Sequence, residues 1–596
     1  MITMDSPVAS PKNSAGIDRL NTQTISLSPE LDAAVARETE AWRADGRVAR
    51  LWQRDTSLWT GGDEDKWVGW LTIVEESAKQ LADYRAFAQD VRGAAFTDAL
   101  LLGMGGSSLG PEVLAEIFGA QPGFPHLRII DSTDPAQILA TEAAVKLAST
   151  LVIISSKSGS TTEPNMLLAY FFNRLRETVG EAKAGEHVVT VTDPGSSMEK
   201  VAKRDKFRRI FYGEPTIGGR YSVLSPFGLV PAAAAGYNVD KLVAAAQAMM
   251  RACGAESPPA TNPGVQLGLA LGVAAMMGRD KVTFNASPRF ADFGAWTQQL
   301  IAESTGKNGK AIIPIDFETL GPPEVYGEDR FFIDLRMASE ASDTDAAALA
   351  ALEKAGHPVV RIVMHTAEDV AQEFFRFEIA TAVAGAVMKI HPFDQPDVEA
   401  TKIKTRELIA AFEASGKLPS EVPVFSDDTF ALYTDTKNAE ALRKGGAAHT
   451  AESWLKAHFA RLDSGDYAAI LAYIARSPAH TKPLQTLRLA LRDRYKVATS
   501  VEFGPRFLHS TGQAYKGGPD SGVFLQVTAD DRPDLAIPGQ KASFGIIKAA
   551  QARGDFDVLA ERGRRALRVH VKGDLDAGLA ALSAAVTGAL AEGATS

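Results

Sequence analysis

The stretch Ser155-Ser156-Lys157-Ser158-Gly159-Ser160-Thr161-Thr162-Glu163 gathers hydroxyls, a glycine and a lysine in one polar turn. Backbone N–H groups at a helix start, flanked by hydroxyl donors, can hold a phosphate dianion. The same residue types cap ordinary helices, so the turn alone leaves anion binding and plain capping both open. A second turn, Gly103-Met104-Gly105-Gly106-Ser107-Ser108-Leu109-Gly110-Pro111, lets backbone approach a ligand closely. Its glycine spacing is not the dinucleotide pattern, and the chain has no Walker loop. Gly218-Gly219-Arg220 sets a permanently charged guanidinium beside flexible backbone. That suits a phosphate or a developing oxyanion, or merely a surface turn. Gln299–Lys307 ends a helix, and Glu303 follows a largely apolar stretch. A partly desolvated carboxylate suits general-base work, with capping or ion pairing as the alternative.

These turns need elements to position them. Ala99–Leu102, Leu127–Ile130, Leu151–Ile154 and Val188–Val191 read as strands, with helices between them opening at Pro111, Pro135 and Glu163. A second alternation places strands at Lys281–Phe284, Ala311–Ile315, Phe331–Ile333 and Val359–Val363. Its helices are Trp296–Glu303, Ala367–Lys389 and Val398–Phe412. Short apolar runs separated by helices imply α/β units with doubly wound parallel sheets covered on both faces. In such sheets ligands sit beyond the carboxyl ends of strands. Beyond residue 425 the pattern is mixed. Helices are expected at Ala451–Arg461, Tyr467–Ala475, Leu484–Tyr495, Ile546–Arg562 and Asp574–Leu590, and strands at Val497–Val501, Val523–Val527 and Ala566–Val571. The expected organisation is a tail and helical segment over 1–96, α/β units over 97–245 and 246–424, and a C-terminal α/β extension over 425–596. Met1–Asn21 reads as a loose tail, and the tryptophans at 67 and 70 as core.

Composition narrows the function class. The 596 residues are 45% hydrophobic and 23% charged, as in a globular protein. A net charge of -10 argues against a general nucleic-acid binder. An anionic ligand must then be met by local cations and N–H groups. One cysteine, Cys253, excludes an intrachain disulfide and fits a reducing compartment. No apolar run reaches the length of a membrane span, so the expected location is the cytoplasm.

Taken together and in order, the turns Gly103–Pro111, Ser156–Glu163, Gly218–Ser225, Gln299–Lys307 and Phe393–Lys402 resemble phosphoglucose isomerases. The resemblance is nearest to the isomerase half of bifunctional transaldolase/phosphoglucose isomerases, because Arg50–Thr60 and Gly504–Gln513 also look like that subgroup. It covers about residues 30–590. The transaldolase half is not expected, since residues before 103 leave no room for a barrel of about 250 residues. The resemblance implies two sugar-isomerase (SIS) folds and interconversion of glucose 6-phosphate and fructose 6-phosphate. It implies ring opening, then C2/C1 proton transfer through a cis-enediol, with no metal and no cofactor. Ser156, Ser158 and Thr161 match the phosphate-binding hydroxyls, with Lys157 in the same turn. Gly106 and Ser107 match the sugar-contacting turn, Gln299 a substrate-binding glutamine, and Arg220 the arginine near the enediolate. Glu303 matches the proton-shuttling base and Lys402 the lysine near the ring oxygen.

One role does not transfer by position. The family's ring-opening histidine sits in a Thr-Asn-Gly-Gln-His stretch between the glutamate and the lysine, where this chain has Tyr326-Gly327-Glu328-Asp329-Arg330. The interval holds only His357, His365 and His391. His509, set among hydroxyls, glycine and glutamine, is the expected replacement. A non-catalytic sugar-phosphate sensor, and an isomerase that also takes mannose 6-phosphate, are the alternative functions. Expected partners are a sugar-phosphate substrate, with no nucleic acid and no membrane. A homodimer and a separate docked transaldolase are left open.

Overall fold

The computed structural model describes residues 19–592 other than residue 341. Three sheets organise them. Strand β1 (Thr22–Ser26) comes first but belongs to the second sheet. The first sheet contains β2 (Asp98–Leu102), β3 (His126–Ile130), β4 (Thr150–Ser155), β5 (Val188–Thr192) and β6 (Arg209–Tyr212). Its order is β3-β2-β4-β5-β6, parallel throughout. Strands β2, β4 and β5 are buried along their whole length, which is why they read as largely apolar runs without alternation.

The second sheet holds β7 (Lys281–Ala286), β8 (Ile313–Ile315), β9 (Arg330–Met337) and β10 (Val359–Met364). Its order is β1-β10-β9-β7-β8, with only β1 antiparallel. The third contains β11 (Phe425–Ser426), β12 (Phe430–Tyr433), β13 (Tyr467–Tyr473), β14 (Ala498–Phe503), β15 (Gly522–Ala529) and β16 (Arg565–Val571). Its order is β11-β12-β16-β15-β13-β14, and β14, β13, β15 and β16 run parallel. All three sheets therefore repeat one arrangement. The first parallel strand is flanked by the second on one side and the third on the other. A crevice opens where the order reverses, at the carboxyl ends of the first and third strands. Those pairs are β2/β4, β7/β9 and β13/β15.

Six helices matter below: α1 (Leu109–Phe118), α2 (Thr162–Val179), α3 (Asp343–Lys354), α4 (Val370–Met388), α5 (Pro396–Ser415) and α6 (Phe544–Glu561). One large core joins the N-terminal helical segment to the first two sheets, and Trp70 stacks on Tyr221 within it at 5.1 Å. The third sheet has its own core. A smaller cluster ties it to the second unit through Ala302, Ile313, Ile315, Tyr467, Tyr473 and Phe507. Among the described residues no helix is long and apolar enough to cross a membrane.

Three expectations are corrected. Tyr467–Ala475 is not a helix, because Tyr467–Tyr473 is β13, buried on both faces and so without alternation to reveal it. The tail expected over Met1–Asn21 lies outside the described residues up to 18. Asn21, however, is buried, donating to the Asp369 carbonyl and to Glu373, and it leads straight into β1. The helix expected at Trp296–Glu303 is two segments, an α-helical Phe293–Thr297 and a π-helical Gln298–Glu303.

Candidate active site

Glu303 ends the π-helical segment. Such segments place their i→i+5 bonds at functional sites more often than chance would. Here Gln299 and Glu303 lie about one turn apart, while Gln298 reaches away to Asp316 at 2.9 Å and Glu502 at 3.0 Å. The Glu303 side chain is 9% exposed, and its Oε2 lies 3.6 Å from Nη1 of Arg220. Arg220 itself is buried and fully engaged. It donates to Ser304 Oγ at 2.8 Å, to Gln395 Oε1 at 3.0 Å, and to the carbonyls of Pro392 and Asp394 at 2.8 and 3.0 Å. That net of acceptors fixes the guanidinium plane beside the carboxylate.

The glycine turn is what allows this approach. A Cβ on Gly106 would stand 2.0 Å from the Gly219 carbonyl oxygen and 2.8 Å from Arg220 N. Gly105 has a φ of +57°, and a Cβ there would lie 2.7 Å from Gln299 Nε2 and 3.1 Å from His509 Cβ. The turn after β2 thus touches the arginine turn, the π-helix and the C-terminal unit at once. Ser107, in the same turn, is buried.

His509 arrives from the short 3₁₀ turn Arg506–His509 that follows β14. Its carbonyl accepts from Gln299 Nε2 at 2.7 Å. Its ring Nε2 lies 3.2 Å from Glu163 Oε1, in the first turn of α2. Gln551 of α6 donates to the same carboxylate oxygen at 2.6 Å and accepts from Thr133 at 2.7 Å. Burial acts to raise the Glu163 carboxyl, but the His509 ring, then the backbone N–H of Glu163 itself and last Lys402 outweigh it and hold it below its ordinary value. Arg506 anchors the whole turn, pairing with Glu112 of α1 and with Asp131 after β3. Asp131 also accepts from Ser108 of the glycine turn at 2.8 Å. Gln513 then ties the π-helix exit to the start of α5. It accepts from Asp397 N at 2.9 Å and donates to the Gly306 carbonyl at 2.9 Å.

The remaining expected residues fall as follows. Ser156 Oγ and Gln299 Oε1 are buried without a hydrogen-bond partner among the described residues. Ser158 is exposed and its hydroxyl lies 2.8 Å from that of Ser160. Thr161 is the N-cap residue of α2, yet its side chain makes no capping bond. Lys402 extends from α5, 46% exposed and 3.7 Å from Glu399. Lys157 departs from the expectation. Its ammonium is bound to Asp193 and to the Glu214 carbonyl, each at 2.9 Å, so it pins the turn from beneath instead of facing a ligand. His391 caps its own turn, its Nδ1 accepting from Phe393 N at 3.1 Å while Nε2 contacts Asp63.

Three groups went unrecognised in the sequence reading. Gln395 lies in the quoted Phe393–Lys402 turn, and its position next to Asp394 was the available signal. Lys307 donates to the Ser304 and His391 carbonyls and pairs with Asp394 at 2.8 Å. Burial, with Arg220 adding to it, pushes its ammonium down to about 7. Gln551 is a lone glutamine in a helix and left no signal. Among the described residues no three histidine, cysteine or acidic side chains are grouped to hold a metal.

Comparison with known proteins fixes the family. A family model described as phosphoglucose isomerase matches residues 64–327. A glucose-6-phosphate isomerase from Rubrobacter xylanophilus is 31% identical over 362 residues, which are 53% of this chain and 83% of the relative. The chain belongs to the phosphoglucose isomerase family. A glucose-6-phosphate isomerase from Citrifermentans bemidjiense is 34% identical over 308 residues, or 46% of this chain. That match spans just 56% of the relative's own length. The crystal structure of a hypothetical protein from Thermus thermophilus superposes with a TM-score of 0.55 at 25% identity, covering 64% of this chain and 99% of that one. The phosphoglucose isomerase model ends before the Phe393–Lys402 turn and before His509.

Proposed function

We propose that this chain is an aldose–ketose isomerase that interconverts glucose 6-phosphate and fructose 6-phosphate. The observation that carries the reading is the convergence of a carboxylate with an arginine, Glu303 on Arg220, and a histidine with a carboxylate, His509 on Glu163, linked by Gln299. The substrate phosphate occupies the Ser156–Thr161 turn at the start of α2, where N–H groups, hydroxyls and the helix dipole favour a dianion. The unpartnered Ser156 hydroxyl and Gln299 carbonyl oxygen are available to it and to the sugar. His509 passes a proton to the ring oxygen as the ring opens, and the ionised Glu163 holds the imidazole in one orientation. Lys402 stands on the same side and lowers the cost of charge there. Glu303 then takes the C2 proton and returns it to C1. Negative charge developing on the enediolate faces Arg220, whose geometry is set before the reaction begins. Placement in the bifunctional subgroup rests on Arg50–Thr60 and Gly504–Gln513 alone. A coupled assay with fructose 6-phosphate tests the activity: wild type should turn over and Glu303→Gln should not. Absence of turnover in the wild type would end this reading.

A further inference from the structure

The second sheet repeats the strand order of the first, so its own crevice lies at the carboxyl ends of β7 and β9. A cavity of about 520 Å³ sits there. That volume is within the range of small-molecule sites. Its floor is built from buried polar groups. Asp334 of β9, with its side chain 1% exposed, accepts from Asn285 Nδ2 of β7 at 2.7 Å and from Arg336 Nε. Ser287, following β7, is buried and accepts from Met337 N at 3.2 Å. At the mouth stands Arg289, half exposed and 3.9 Å from Glu340. The far wall is the start of α3, where Ser342 caps Asp345 N at 3.3 Å.

None of these side chains takes part in the reaction proposed above. We propose that this cavity is a second ligand site, which binds a hydroxyl-bearing phosphate monoester. Arg289 and the N-terminal end of α3 meet the phosphate, which displaces Glu340 from the arginine. The half-buried Asn285 amide oxygen and the Ser287 hydroxyl meet vicinal hydroxyls, while Asp334 beneath them holds the Asn285 amide in place. The lining sets Asp334, Glu340 and Asp345 against Arg289 and Arg336. A bare dianion therefore gains little, and the hydroxyl contacts must supply the difference. The parallel with the first crevice rests on reading Ser156–Thr161 as a phosphate turn; the cavity and its lining do not.

Equilibrium dialysis with glucitol 6-phosphate, which cannot be isomerised, tests the site. Wild type should bind two equivalents per chain, and inorganic phosphate should compete poorly for the second. Arg336→Ala, which removes a donor from Asp334 beneath the Asn285 amide, should weaken the second equivalent. Arg289→Ala, a change at an exposed side chain that leaves the fold intact, should weaken it by at least about tenfold. Both variants should keep wild-type turnover of fructose 6-phosphate. A single equivalent in wild type, or a second one unaffected by Arg289→Ala, would overturn the proposal. Either result would leave the isomerase reading standing, since that is judged on turnover alone.

Discussion

The two groups proposed to move protons, Glu303 and His509, are held in opposite ways. Glu303 sits at the end of a π-helical segment inside the second unit, against an arginine whose donors are already engaged by Ser304, Gln395 and two carbonyls. His509 sits on a short turn of the third unit, held through its own backbone carbonyl by Gln299 and through its ring by Glu163. Its ring is also more open, 16% exposed against 9% for the glutamate. The difference suggests a division of labour. The rigid, charge-matched position suits a step in which charge develops on carbon. The looser one suits proton exchange with a sugar oxygen.

Replacing Glu303 by glutamine should break that division at its centre. Loss of the base should cost at least about a thousandfold in kcat, within the usual span for general acid–base groups. The loss should be equal for fructose 6-phosphate and for 5-deoxyfructose 6-phosphate, which cannot close a ring. His509→Ala sharpens the contrast. It should slow the cyclic substrate by about a hundredfold yet change the acyclic analogue by less than about threefold. Equal losses on both substrates would assign His509 to the proton-transfer step instead.

Gln551→Leu should have a smaller effect. It removes one donor from Glu163 without touching the substrate, so ring opening should slow by about fivefold, equivalent to about 1 kcal/mol. The acid limb of the rate profile should move as well, since Glu163 loses a bond to its charged form. An unchanged pH profile would make Gln551 merely a packing residue.

The last test concerns the support of the π-helix. Asp316 is buried next to Glu502, and burial first, then that neighbouring carboxylate, raises its pKa. The folded chain therefore holds a proton that the unfolded chain releases. The stabilisation is fully present below the unfolded value of about 4 and is lost as pH rises through the folded value. Asp316→Asn keeps an oxygen for Gln298 but cannot titrate. Thermal midpoints measured at pH 5 and pH 8 should differ less in this variant than in wild type.

Much of this was legible in the sequence because the central strands of the first two sheets are buried on both faces. Strands β2 and β4 carry unbroken apolar runs at Ala99–Leu102 and Leu151–Ile154, and the turns after them are rich in glycine and serine. The same burial hid β13, whose Tyr-Ala-Ala-Ile-Leu-Ala-Tyr run lacks both alternation and β-branched density. Strand β1 hid for the opposite reason: Thr22–Ser26 is a half-exposed edge, and only its pairing with β10 makes it a strand. Within the site, residue types near the turns could be read directly. The Glu163–His509 contact could not, because 346 positions separate the partners. Nor could the turning away of Lys157, which depends on Asp193 and Glu214 arriving beneath it.

The anchor formed by Arg506 has a consequence for biogenesis. Its partner Glu112 lies 394 positions earlier in the chain. During translation the first sheet can be complete long before that arginine leaves the ribosome. The nascent protein would then be folded over much of its length while the turn that carries His509 still lacks its anchor. Because Arg506 lies in the turn after β14 and in no strand, release of the same contact in the finished molecule would loosen the His509 turn before any sheet.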